Sequence, residues 1–214
     1  MPFTRIEVVL LGIVDHRLHV LLAKRAEAPY AGRWALPGGV LRIDLDRSLD
    51  QAATRIARER LGAEVPRFRQ VAAIGGPSRD PRAPWGLSIV FRTFVVVEHL
   101  ATVAGKRVEA LEWRDADAAS ADERLAFDHN RLIAQAIGAA RAEIDVLDLP
   151  LQLLPEQFTL GELQAVCEEV LGRTLDKSSF RRRLADRDIL EPIEGARRTG
   201  PFRPAQLYSR KRAG

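Results

Sequence analysis

Two groups of residues in this chain have the types and spacing to do chemistry. The first begins at Gly38-Gly39 and continues into a helical stretch carrying Arg55, Ile56, Glu59 and Arg60. Helix positions i, i+3 and i+4 share a face. Ile56, Glu59 and Arg60 therefore line up as one alkyl chain, one anion and one cation, with no net charge. A Mg²⁺ centre needs converging carboxylate oxygens. A guanidinium within about 4–6 Å would repel the ion strongly in a partly buried place. Metal-assisted hydrolysis is not expected from this face. Two alternatives stand beside that reading. Glu59 could simply pair with Arg55 one turn earlier, or a rescuing acid could come from Asp44, Asp46, Asp50 or Glu123.

The second group is basic. Lys177, Ser178, Arg181, Arg182 and Arg183 lie on a predicted helix whose inward stripe is Phe180, Leu184 and Ala185. Arg197, Arg198 and Arg203 follow in a loop rich in Gly, Pro and Arg. From Arg173 to Gly214 there are 12 Lys or Arg against 5 Asp or Glu, a local +7 on a chain whose net charge is +4. The remainder is mildly acidic, so a polyanionic partner is expected at one end only. A solvated basic face, or a module that binds protein, is the competing reading.

The elements that must position these groups follow from pattern. Ile6–Val14 and Leu18–Ala23 are short apolar runs around Asp15-His16-Arg17, which predicts a buried hairpin. Leu49, Ala53, Ile56, Ala57 and Leu61 recur at helical spacing, and Gly62 ends that helix. Phe68–Ile74 and Leu87–Val97 read as strands separated by the loop 75–81, Leu111–Trp113 as a further short strand, and Asp128–Ala142 as a helix capped by Asp128. Further on, Thr159 with Glu162 forms a capping box opening a helix that Gly172 closes. Asp176 caps the next helix, which runs to Asp188. Ile189-Leu190 and Gln206–Tyr208 flank the basic loop. A helix, a short turn, a helix and a small hairpin with a basic tip describe a winged helix. The expected domains are residues 1–146, a linker at 147–156 and a second domain at 157–214.

Cys167 is the sole cysteine, which excludes an intrachain disulfide and a Cys-based zinc site. No apolar run reaches the roughly 18–20 residues that cross a bilayer, and Glu7 and Asp15 bracket the N-terminal apolar stretch, unlike a signal peptide. A cytoplasmic protein with no membrane partner is expected.

The stretch Trp34-Ala35-Leu36-Pro37-Gly38-Gly39, followed by a helix ending in Leu61-Gly62, resembles the Nudix family, whose box reads G-x5-E-x7-R-E-U-x-E-E-x-G-U. The resemblance runs from about Thr4 to Val146, with Gly39, Arg55, Glu59 and Gly62 at box positions. The spacer after Gly39 is two residues longer than the box. Arg47, Ile56 and Arg60 stand where box glutamates belong. The family cleaves nucleoside diphosphates linked to another group, using divalent ions. The departures imply a pocket that keeps its ligand and loses its metal. Arg25, Arg55, Arg79 and the Gly38-Gly39 turn could hold a diphosphate, and Trp34, Tyr30 or Phe127 could stack on adenine. Trp34 is equally readable as core. Phe127-Asp128-His129 is similar to a segment near the ligand in the regulatory branch of the family, although His129 alone could be a helix-end residue. Glu59 completes the expected ligand surroundings.

Leu153–Leu160, then Leu175-Asp176-Lys177 with Phe180-Arg181-Arg182, then Arg203–Tyr208 resemble, in order, the C-terminal domain of the Nudix-related transcriptional regulators, the NrtR family. The fold class implied is α+β: a Nudix α/β/α sandwich with a mixed sheet, followed by a winged helix-turn-helix domain. The function implied is a homodimeric repressor of NAD-metabolism genes that binds operator DNA and senses ADP-ribose or a related nucleotide. Relatives of the same architecture serve sugar-utilisation genes. No cofactor, catalytic residue or metal ligand is expected. The alternative is an ADP-ribose or nucleoside-diphosphate pyrophosphatase with an appended domain.

Overall fold

The structure is a computed structural model that describes residues 3–65, 67–199 and 204–211. The chain divides into two compact units, 1–139 and 140–214.

The first unit is built on a mixed sheet. β1 (Phe3–Val14) and β2 (Arg17–Arg25) form the expected hairpin. Asp15 and His16 both take positive φ (47° and 60°), the turn geometry whose twist matches that of paired strands. β3 (Trp34–Ala35) extends the sheet beyond β2, β4 (Gly38–Val40) pairs with β1, and β7 (Val108–Asp115) pairs with β2. On the other side of β1 lies β6 (Ala83–Phe94), parallel to it, and then β5 (Arg69–Asp80), antiparallel to β6. That single parallel pairing makes the sheet mixed. α1 (Leu49–Leu61) buries Ala52, Ala53, Ile56, Ala57 and Leu61 in a core shared with Ile6, Val8, Leu10, Leu21 and Phe91. The Ser48 hydroxyl accepts from the Gln51 amide at its start, and Gly62 closes it in the left-handed region at φ 60°. α2 (Ala116–Ala121) and the part of α3 (His129–Asp145) up to residue 139 complete the unit's helices.

One expectation needs correction. Residues 75–80 are not a loop: β5 runs through them to Asp80 and the turn is confined to 81–82. Gly75 is glycine because the Trp85 ring lies across it; an added Cβ would come within 2.3 Å of that ring. Gly-Pro-Ser composition here marks a strand irregularity between Pro77 and Asp80. Asp128 stands directly before α3, and Arg79 holds both of its carboxylate oxygens at 2.8 Å.

The composition-based break at 146 falls later than the division between units. The last turns of α3 belong to the second unit, where Arg141 donates to the Val170 carbonyl and Arg173 pairs with Asp145 at 2.8 Å. Leu147, with φ 63°, ends the helix, and the Asp148 amide donates back to the Glu143 carbonyl at 2.9 Å. The expected linker is partly ordered, with buried Leu147, Leu149 and Pro150 and a 3-10 turn at Leu151–Leu153.

In the second unit, α4 (Leu160–Leu171) carries the predicted capping box, with Thr159 N to Glu162 Oε2 at 2.7 Å and Glu162 N to Thr159 Oγ1 at 3.1 Å. α5 (Lys177–Arg187) is capped by Asp176 and buries Phe180 and Leu184, while Ala185 is exposed. β8 (Phe158–Thr159), β10 (Ala205–Arg210) and β9 (Leu190–Arg198) form a three-stranded antiparallel sheet in that order. Phe158, Leu163, Cys167 and Val170 are buried with them. Burial pushes the Cys167 thiol up to about 12, so it is an inert packing residue.

Candidate functional site

The first unit holds a cleft bordered by β2, the 35–38 turn and α1, lined by Arg5, Lys24, Arg25, Arg60, Arg82 and Arg107 with one carboxylate, Glu27. These cations come from distant parts of the sequence. Arg5 and Lys24 lie in β1 and β2, Arg60 in the last turn of α1, and Arg82 in the turn between β5 and β6. Arg60 is half-buried and donates to the Gly38 carbonyl at 3.0 Å and the Lys106 carbonyl at 2.5 Å. Burial, then the charge of Arg107, lowers its pKa. Burial, then Arg5 and Arg82, lowers that of Arg25. Both shifts come first from burial and only second from neighbouring cations, against a smaller pull from carboxylates, Glu7 and Asp80 on Arg25 and Glu59 and Glu7 on Arg60.

A second depression adjoins the first and shares Arg5 with it. Its lining includes Glu7, Arg79, Phe127, Asp128 and His129. Glu7 is fully buried; Arg5 Nε meets its Oε1 at 2.7 Å, and its Oε2 has no hydrogen-bond partner among the described residues. Burial raises the Glu7 pKa even against the attraction of Arg5. Gly38 stands beside it because an added Cβ would lie 1.6 Å from Oε2. His129 is also buried. Its Nδ1 accepts from the Leu36 amide at 2.9 Å, so in the neutral ring the proton sits on Nε2, which faces Glu7 Oε1 at 3.8 Å. Phe127 stacks on His129 with ring centres 5.1 Å apart and meets Tyr30 edge-on at 4.8 Å. The guanidinium groups of Arg25, Arg5 and Arg82 lie 5.0, 5.6 and 5.7 Å from the Phe127 ring.

The expected ligand residues thus separate. Arg25 and Gly38 line the basic cleft, and Arg79, Phe127 and His129 line the adjoining depression. Arg79 is already engaged with Asp128 and the Ile74 carbonyl. Arg55 binds Asp46 through Nε at 2.7 Å and Nη2 at 2.8 Å, and reaches Glu59 at 3.3 Å. Trp34 is half-buried with Arg114 4.5 Å above its ring. Gly39 pairs with Ile6 in the sheet, and an added Cβ would meet the Ile56 side chain at 3.1 Å. Sequence reasoning overlooked Arg5, Lys24, Arg82 and Arg107. Their one local signal is Arg5 and Glu7 two residues apart on one face of a strand.

The fold raises the question of a divalent ion, and the side chains do not fit one. Ile56 is fully buried apolar core. Arg60 brings a guanidinium to the cleft. The Asp46 carboxylate is 2% exposed and taken up by Arg55, Asp44 pairs with Arg42, and Asp50 and Glu123 are exposed. Among the described residues no three His, Cys, Asp or Glu come together as metal ligands would.

In the second unit, Lys177, Ser178, Arg181 and Arg182 are exposed along one side of α5. Arg183 is half-buried and donates to the Asp145 carbonyl, which corrects its expected outward placement. Arg197 is exposed on β9. Arg198 pairs with Glu162 and donates to the Gln157 carbonyl at 3.1 Å. Arg203 lies outside the described residues. An exposed basic helix beside a basic hairpin is the pairing that major-groove readers present to DNA.

Residues 4–136 match the NUDIX domain, and residues 150–209 match the NrtR DNA-binding winged helix domain. The chain is 34% identical over 208 residues to the ADPR responsive transcriptional repressor NtrR of Acinetobacter baylyi, covering 97% of this chain and 81% of that protein. Shewanella oneidensis NrtR complexed with a 27mer DNA matches with a TM-score of 0.79 and 33% identity, over 97% of this chain and 93% of that one. The NUDIX domain of the same NrtR, complexed with ADP ribose, matches with a TM-score of 0.57 and 31% identity, over 64% of this chain and 86% of that one. The chain belongs to the Nudix family, in the NrtR branch that joins a Nudix domain to a DNA-binding winged helix.

Proposed function

We propose that this protein is a transcriptional repressor that binds operator DNA through α5 and the β9–β10 wing and senses ADP-ribose in the Nudix unit. The observation that carries the reading is the cleft between β2 and α1, whose six lysine and arginine side chains suit a diphosphate. The A. baylyi repressor, ADPR-responsive by name, supports the choice of effector. The proposed assembly is a homodimer, so that two winged helices meet a palindromic site, and NAD-metabolism genes are the proposed targets. Ligand releases DNA only if it prefers the conformation that does not bind DNA. In this reading the Nudix unit binds and does not hydrolyse. No helix among the described residues is long and apolar enough to cross a membrane.

The DNA-binding half is tested at Arg182. If its side chain reads a base edge, Arg182→Ala should weaken specific binding by about 1–3 kcal/mol; if it meets phosphate, the variant should reduce the salt slope by about one unit. A fluorescence-anisotropy titration of promoter DNA at several salt concentrations separates the two. Identical affinity and slope in variant and wild type would remove α5 from the interface.

A further inference from the structure

Four of the six cations lining the cleft are ion-paired. Arg5 pairs with Glu7 at 2.7 Å, Lys24 with Glu109 at 2.7 Å, Arg82 with Asp80 at 2.5 Å and Arg107 with Glu27 at 3.1 Å. Arg25 and Arg60 differ. Arg25 donates to the carbonyls of Pro29 and Glu27, and Arg60 to those of Gly38 and Lys106. Neither ion-pairs with a carboxylate among the described residues, and each is half-buried. Among the described residues, two guanidinium groups on one wall therefore have no carboxylate in direct contact, in a place where water screens poorly.

We propose that Arg25 and Arg60 form a metal-free clamp for the ligand's diphosphate, with Arg60 supplying positive charge that a divalent ion would otherwise bring. A diphosphate esterified at both ends is a dianion, which matches the charge the two guanidiniums leave unmet. The backbone carbonyls orient each side chain and spend only part of its five donors, so each fork retains N–H groups for phosphate oxygens. A divalent cation entering the same cleft meets six positive side chains, and the one carboxylate in its lining, Glu27, is paired with Arg107. Binding should therefore be indifferent to Mg²⁺. The lowered pKa values of both arginines point the same way, since each would be relieved by an anion.

This inference rests on the nucleotide-sensing reading, and one calorimetric experiment separates the two. ADP-ribose is titrated into the full-length protein in chelator and again in excess Mg²⁺, for wild type, Arg60→Gln and Arg60→Lys. The expected result is the same Kd in both buffers for wild type, a loss of roughly tenfold or more for Arg60→Gln, and partial recovery in Arg60→Lys. Unchanged thermal unfolding of Arg60→Gln shows that the loss is not misfolding. Should Arg60→Gln unfold, the buffer comparison on wild type alone decides. A Kd that worsens tenfold on chelation overturns the metal-free clamp while leaving nucleotide sensing intact. An Arg60→Gln variant that folds and binds like wild type also overturns the clamp. Absence of binding in both buffers overturns the sensing reading itself.

Discussion

On acidification from pH 6.5, the folded state should lose stability along a slope set by His129. The ring is 2% exposed, and burial, reinforced by Arg5, pushes its pKa down from 6.5 to about 3. In the unfolded chain the same ring binds a proton near its ordinary value. Between these two pH values the unfolded state holds more protons, so folding stability falls as pH falls. The slope is about 1.4 kcal/mol per pH unit and the full window is worth about 4–5 kcal/mol. Glu7 works in the opposite sense, because a carboxyl with a raised folded pKa is stabilising at low pH and loses that contribution as pH rises. The informative quantity is therefore the difference between wild type and His129→Asn, which keeps an acceptor for the Leu36 amide without an imidazole. Urea unfolding should show a pH slope in wild type that flattens in the variant. Parallel slopes would mean that His129 is protonated in the native state.

Asp46→Ala should cost about 3 kcal/mol. The carboxylate is 2% exposed, receives both Arg55 Nε and Nη2, and also accepts from the Arg42 amide at 2.8 Å. The bond from Arg55, then that amide, holds its pKa below the ordinary carboxylate range. Deleting one partner of a buried pair costs about 3–5 kcal/mol because the other charge is stranded. The lower end applies here, since Arg55 keeps Glu59 at 3.3 Å and the Val40 carbonyl at 3.2 Å. Denaturant midpoints for Asp46→Ala, Arg55→Ala and the double variant form a cycle. If Asp46→Ala costs less than about 1 kcal/mol, the pair behaves as an ordinary surface bridge.

Much of the fold was legible because local rules agreed with one another. The capping box at Thr159 and Glu162, the Gly62 and Gly172 stops, and the hairpin around Asp15 are each decided within a few residues. The Gly75–Asp80 stretch misled because glycine and proline usually punctuate chains, whereas here Trp85 on the neighbouring strand needs the missing side chain. The site was half legible. The box departures at Ile56 and Arg60 can be read along one helix. The cleft is set by long-range pairings, which bring Arg5, Arg82 and Arg107 together and which no spacing rule reveals. Ion pairing was the other hidden layer. Arg55, Arg79 and Arg198 looked available in the sequence and are engaged by Asp46, Asp128 and Glu162.

The most direct test of the central claim is a gel-shift titration of the DNA upstream of the protein's own operon, with and without ADP-ribose and Mg²⁺, assaying the same samples for AMP. A specific shift that ADP-ribose reverses, with no AMP produced, is the predicted result. AMP production without any shift would contradict it, making the protein a hydrolase that uses carboxylates outside the cleft described above.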